Sequence, residues 1–118
     1  MAEHIDLGRE GEQLAADWLI KKGYEILLRN WRHGRYEVDI IAFYKNVCHF
    51  IEVKAGYTNE YGYPEQRVSR QKLLHMMRGA AAWIHHFSYQ GRVQYDVLAI
   101  RLSRTKEPEY DLFEDVYL

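Results

Sequence analysis

A chain of 118 residues, 47% hydrophobic and 28% charged, has room for one cored domain and not two, with the composition of a water-soluble globular protein. No stretch approaches the roughly 20 apolar residues of a membrane span, and the start, Met1-Ala2-Glu3-His4, lacks the basic-then-apolar layout of a secretory signal. A net charge of −1 argues against a nonspecific nucleic-acid coat, and a single cysteine, Cys48, excludes an internal disulfide, so the expectation is a cytoplasmic protein with no membrane partner.

Residues 5–22 read as a first helix. Leu7, Leu14, Ala15, Trp18 and Leu19 form an apolar stripe at helical spacing. Asp6 is the candidate N-cap, with Arg9 where a capping box takes Glu or Gln. Lys21 and Lys22 complement the helix dipole, and Gly23 suits the position after the last turn. Gly8 and Gly11 remove bulk beside Glu12, which lets the helix approach other backbone closely. By itself Glu12 reads as an exposed helix glutamate.

Residues 24–31 read as a first strand, with Tyr24, Ile26 and Leu28 on one face and Leu27 on the other. The basic connection that follows carries Arg29, Arg32 and Arg35. These arginines either hold phosphate oxygens or pair with nearby acids.

Residues 36–43 and 47–53 read as two strands of a hairpin, broken at Tyr44-Lys45-Asn46. Asp39, Glu52 and Lys54 lie in or beside these apolar runs, where charge is disfavoured unless compensated. A two-residue turn at Lys45-Asn46, or a four-residue loop in the same register, sets Phe43 opposite Cys48, Ile41 opposite Phe50, Asp39 opposite Glu52 and Glu37 opposite Lys54. Opposed residues share a sheet face with Cβ atoms about 5 Å apart. Two carboxylates then meet side by side, which destabilises a sheet. A bound divalent cation reverses the sign of that contact, and magnesium takes such oxygen ligands. A loop of odd length would put the acids on opposite faces. The plainer alternative is that the acids point into water. Cys48 is expected to pack in the core.

Residues 55–64 read as a loop, with two Gly, a Pro and no apolar period. Its tyrosines, Tyr57 among them, either stack on unpaired bases or pack the loop onto the body. Mobility is expected here without nucleic acid. Residues 69–87 read as a second helix with Ser69 as N-cap and Leu73, Met77, Ala80, Ala81 and Ile84 as its buried stripe. Gly79 inside it points to close packing. His85 and His86 are adjacent and diverge by about 100° on a helix, so with His75 they do not make a zinc site. Residues 92–102 read as a strand covered on both faces, with Val93, Tyr95, Val97 and Ala99 against Leu98, Ile100 and Leu102. Residues 110–118 are either an edge strand or an ordered tail. The order αβββαβ, with a further C-terminal strand left open, describes one α/β domain over residues 1–118, a mixed central sheet flanked by helices.

Val38-Asp39 followed by Glu52-Val53-Lys54 resembles the PD-(D/E)xK pattern of restriction-endonuclease-like nucleases. More of the chain resembles one branch, the small bacterial YraN-like family. The resemblance is carried by Gly8, Gly11-Glu12, Ala15, Leu19, Gly23-Tyr24, Ile26-Leu27, Asn30-Trp31-Arg32, Glu37-Val38-Asp39, Phe50-Ile51-Glu52-Val53-Lys54, Gly62, Lys72 and Asp96-Val97, over about residues 8–100. Archaeal Holliday junction resolvases are characterised relatives of that branch. The resemblance implies the restriction-endonuclease-like fold and magnesium-dependent phosphodiester hydrolysis in nucleic acid, with structured or branched DNA as the first substrate to consider. Manganese should substitute for magnesium. Asp39 and Glu52 would bind the metal, with the Val53 carbonyl as a third ligand and Glu12 acting directly or through water. Lys54 would orient the attacking water. Lys72 matches a family lysine and, with Arg32, Arg35 and Tyr57, is a candidate nucleic-acid contact; a solvated helix start is the alternative for Lys72. Junction-cutting relatives act as symmetric dimers, which implies a homodimer. Two departures stand out. Tyr36 replaces a Gly before the Glu-x-Asp, and Ala55-Gly56 replaces a Thr-Arg after the lysine, removing a phosphate contact. One alternative function is a nucleic-acid- or protein-binding module of the same fold that cuts little, or only with a protein partner. Another is an interaction protein whose acids are incidental.

Overall fold

The computed structural model describes residues 2–57 and 68–116, with side chains from Gly8 onward. Its elements run α1 (Ala2–Lys21), β1 (Glu25–His33), β2 (Tyr36–Tyr44), β3 (Val47–Tyr57), α2 (Arg70–His86), β4 (Arg92–Leu102) and β5 (Glu109–Phe113). The strands form one mixed sheet in the order β1-β2-β3-β4-β5. β3 and β4 are parallel and the other neighbours antiparallel. A parallel pair needs a long crossover, and α2 lies within it. The strand left open at the C-terminus is β5, an edge strand.

Two cores cover the two faces of the sheet. Ala15, Ala16 and Leu19 of α1 pack with Tyr24, Ile40, Ala42, Ile51, Leu98 and Ile100. Met76, Ala80 and Trp83 of α2 pack with Val38, Ile41, Cys48 and Phe50. Central β3 is therefore enclosed on both sides, which explains its unbroken buried run from Cys48 to Glu52. Cys48 is buried as expected. Among the described residues no helix is long and apolar enough to cross a membrane.

The hairpin turn is the two-residue one. Lys45 and Asn46 both take positive φ, 49° and 66°, the twist that a tight hairpin requires. The register then runs from Tyr44 opposite Val47 to Ile40 opposite Ile51. Both helices end alike. After α1, Gly23 N–H donates to the Ile20 carbonyl and Tyr24 N–H to that of Leu19, each at 3.0 Å, with Gly23 at φ 103°. After α2, Ser88 and Tyr89 repeat the pattern onto His85 and Ile84, with Ser88 at φ 52°. Ser69 caps the start of α2 by accepting from Lys72 N–H at 3.1 Å.

Four local expectations are corrected. Helix α1 begins at Ala2, so Asp6 lies within it rather than capping it; the Leu7 side chain lies outside the described residues. In β1 the register shifts between Ile26 and Leu28. That bulge makes Leu27 the extra residue and moves Leu28 to the α2 side, away from Tyr24 and Ile26. Residues 55–57 are not loop: they extend β3, where parallel pairing with Ile100, Arg101 and Leu102 supplies hydrogen-bond partners. The rest of the expected loop, residues 58–64 with Tyr61, Gly62 and Tyr63, lies outside the described residues. Finally, α2 buries Met76, Gly79, Ala80 and Trp83 rather than Met77 and Ala81. Gly79 sets that rotation. A Cβ on it would lie 3.3 Å from Val38 Cγ2 and 3.4 Å from the Glu37 backbone N, so the bare backbone turns toward β2. The Trp31 indole N–H closes the contact by donating to the Gly79 carbonyl at 3.0 Å.

Candidate active site

The site originates in a fault in the sheet at Asp39. The β1–β2 register passes from Arg29 opposite Ile40 to Trp31 opposite Val38, and Asp39 is absent from it. Its counterpart, Asn30, takes a positive φ of 55°. The β2–β3 register ends at Ile40 opposite Ile51. Strand alternation breaks here too, since Val38 packs on the α2 side whereas Ile40 and Ala42 pack on the α1 side. Beyond this point the Val53 N–H has the Asp39 carboxylate as its acceptor, Oδ2 at 2.8 Å. A side chain thus takes over from the backbone ladder, and a fork opens between β2 and β3.

A cavity of about 470 Å³ occupies this fork, and Glu37, Asp39, Glu52, Val53, Lys54 and Ala55 line it from the sheet. α1 contributes Gly8, Gly11 and Glu12, α2 contributes Lys72 and His75, and the β1–β2 turn contributes Arg35. The closeness of α1 depends on Gly11, where a Cβ would lie 2.7 Å from that of Ala55. Nothing comparable holds Gly8.

Two buried carboxylates dominate the electrostatics. Asp39 is 9% exposed and Glu52 6%. Burial, and next the charge of Glu52, push the Asp39 carboxyl from 3.8 up to about 8; the Val53 N–H opposes this rise, and Glu12 and Glu37 add to it. Burial also raises Glu52 above its ordinary value, while Lys72 and, less strongly, Lys54 pull it back. The Lys72 ammonium stands 3.5 Å from Glu52 Oε2. Near neutrality the pair holds a proton that an oxygen-seeking cation would displace.

Among the described residues no three His, Cys, Asp or Glu side chains gather into a ready-made metal cage. Glu12 lines the same cavity but does not complete such a trio with Asp39 and Glu52. The buried oxygen donors that the cavity brings together are the carboxylates of Asp39 and Glu52. Magnesium fits them, since that ion keeps several waters and takes one or two protein carboxylates.

Of the residues singled out in the sequence, Glu12, Arg35, Asp39, Glu52, Val53, Lys54 and Lys72 share the cavity. Two do not reach its wall. Arg32 pairs with Glu37 at 3.2 Å, and the Tyr57 ring lies 4.6 Å beneath the Arg104 guanidinium while packing on the α1-side core. Glu37 and His75 were not anticipated there. The signals existed: Glu37 falls opposite Lys54 in the hairpin register, and His75 follows Lys72 by three residues, on the same helix ridge. A second buried polar group was also missed. Asp96 Oδ2 lies 2.7 Å from His49 Nδ1, and Asp96 Oδ1 accepts from Gln94 Nε2 and from the Asp115 N–H, each at 2.9 Å. This carboxylate joins β3, β4 and the segment after β5 on the α1 side, and its work is structural.

The model of uncharacterised protein family UPF0102 matches residues 11–100. A UPF0102 protein of Cytophaga hutchinsonii is 45% identical over 98 residues, covering 83% of this chain and 87% of the relative. One from Phocaeicola vulgatus is 40% identical over 100 residues, covering 85% and 83%. One from Flavobacterium psychrophilum is 34% identical over 117 residues, covering 99% and 98%. The chain belongs to the UPF0102 family, the YraN-like family that its motifs resemble.

Proposed function

We propose that this chain is a restriction-endonuclease-like nuclease that hydrolyses phosphodiester bonds in nucleic acid, with structured or branched DNA as its substrate and magnesium as its cofactor. One observation carries the reading: Asp39, Glu52 and Lys54, with Glu12 from α1, line a single cavity whose two central carboxylates are buried beside each other's charge. Burying two acids together destabilises a fold unless a ligand compensates them.

Asp39, Glu52 and the Val53 carbonyl would hold the cation. When bound, it supplies Lewis-acid polarisation of a phosphate oxygen and an acidified water. The Asp39 carboxylate accepts from the Val53 N–H and so ties β2 to the residue whose carbonyl would be the third ligand, which supports this reading. Lys54 orients the attacking water and, as an ammonium, favours its hydroxide form. Lys72 pairs with Glu52 and offsets its charge. It becomes available to a phosphate oxygen once Glu52 is engaged elsewhere. Manganese substitutes for magnesium in an oxygen donor set.

The second reading is a binding module that cuts little by itself. The Lys72–Glu52 pair favours it, because it already compensates one acid. Cleavage of labelled branched, single-stranded and duplex DNA by wild type and Asp39→Ala, with magnesium, manganese or EDTA, separates the two. Metal-dependent cutting that disappears in the variant supports the nuclease. Binding of branched DNA without cutting supports the module, and the search turns to a protein partner.

A further inference from the structure

Beside the cavity mouth, three basic or aromatic side chains converge on Tyr36, the residue that stands where a glycine is usual. The Arg35 guanidinium lies 5.6 Å over the ring and that of Arg78 5.8 Å. Arg78 Nη1 also donates to the Tyr36 hydroxyl at 3.3 Å. His75 meets the ring edge-on at 5.3 Å. Both arginines are exposed, and among the described residues neither pairs with a carboxylate. The nearby acid Glu37 is engaged by Arg32. Two exposed cations on one ring, neither paired with a carboxylate among the described residues, make a local positive surface that favours an anion.

The chemistry selects that anion. Arg78 spends one N–H on the Tyr36 hydroxyl and keeps its other guanidinium donors, and such planar, always-charged donor sets are the ones that grip phosphate oxygens. The phenol's pKa is lowered by the bonds from Arg78 and then Arg35, as expected beside two cations. Position selects further. Lys72, His75 and Arg78 follow one another at spacings of three along α2, from Glu52 at the cavity to Tyr36 outside it. Six residues of helix span about 9 Å, which is too far for one phosphate group to bridge. Arg35 and His75 line the cavity as well, so the cluster continues its wall.

We propose that Arg35 and Arg78, spread over Tyr36, form a second phosphate subsite that holds a diester next to the one at Asp39 and Glu52. The inference rests on the reading that the cavity takes a phosphodiester. It makes the ligand a polynucleotide strand rather than a mononucleotide, and the grip independent of base sequence.

The test is binding, kept apart from cleavage. Fluorescence anisotropy of a labelled 12-residue oligothymidylate is followed against sodium chloride concentration, for wild type in EDTA and for Asp39→Asn with magnesium. In each background Arg78→Ala is expected to weaken binding about tenfold at low salt, and to reduce the slope of log affinity on log salt by about 0.7, the value for one phosphate of a single strand no longer neutralised. Tyr36→Phe keeps the ring and is expected to keep the slope; Tyr36→Ala is expected to behave like Arg78→Ala. Arg78→Gln repeats the test with the side-chain length largely kept. An unchanged slope in both Arg78 variants, or no binding in either background, overturns the subsite. Magnesium-dependent cutting by wild type decides the nuclease reading separately. Cutting with an unchanged slope removes only the subsite, and a reduced slope without cutting removes only the nuclease.

Discussion

Replacing Asp39 by Asn should make the metal-free protein more stable while removing its proposed activity. The Asp39 carboxyl is raised from 3.8 to about 8. A carboxyl raised in the folded state stabilises the fold while it is neutral, and that contribution is lost as pH climbs from the unfolded value toward the folded one. Across this window wild type should lose up to about 1.4 kcal/mol per pH unit from this group. In full, the penalty at pH 7 is about 4 kcal/mol. Water entering the cavity softens it, so the gain in Asp39→Asn should be roughly 2 kcal/mol, or a rise in Tm on the order of 8 °C. The amide oxygen still accepts the Val53 N–H, so the fork is preserved. The assay is urea unfolding of both proteins in EDTA from pH 5 to 8.5, with the stability difference plotted against pH. It should widen as pH rises. A flat difference, or a variant less stable than wild type at pH 8, would refute the account of the buried acids.

Magnesium should raise the Tm of wild type more at pH 8 than at pH 6, because it competes with the proton on Asp39, and should leave Asp39→Asn unmoved; thermal melts with sodium as control check this. Ser88→Gly should stabilise by about 1 kcal/mol in urea, because Ser88 holds the left-handed position that glycine occupies without strain. Gly11→Ala should destabilise by about 1–2 kcal/mol despite its better helix propensity, because the new methyl meets the Ala55 Cβ, which has no rotamer in which to yield. Asp96→Ala should cost about 3 kcal/mol or more by stranding His49, Gln94 and the Asp115 N–H, and should speed proteolysis at residues 114–116; unaltered cleavage there would show that other contacts hold the segment.

Much of this molecule was readable one residue at a time. The hairpin register followed from a two-residue break between alternating runs as far as Ile40 opposite Ile51; the expected pairs Asp39 with Glu52 and Glu37 with Lys54 lie beyond the last observed pair, although Asp39, Glu52 and Lys54 do line one cavity. Ser69 and Gly23 marked helix ends because their capping chemistry depends on neighbours within a turn. Strand β4 was bounded as expected from its apolar faces. Each of these features is decided by local periodicity and local hydrogen bonding. What the tertiary structure alone decided involves partners far apart in the chain. The rotation of α2 depends on Gly79 meeting Val38 and Glu37, and the bulge in β1 on how it fits against β2. The buried His49–Asp96 pair joins residues 47 positions apart. The gap in both ladders at Asp39, which opens the cavity, and the meeting of Arg35 and Arg78 over Tyr36 likewise require the strands and α2 to be assembled first. The sequence thus determined which residues carry charge into the sheet, and packing decided how deeply they are buried. That burial, rather than the residue types alone, raises the Asp39 carboxyl into the neutral range where a cation can replace its proton.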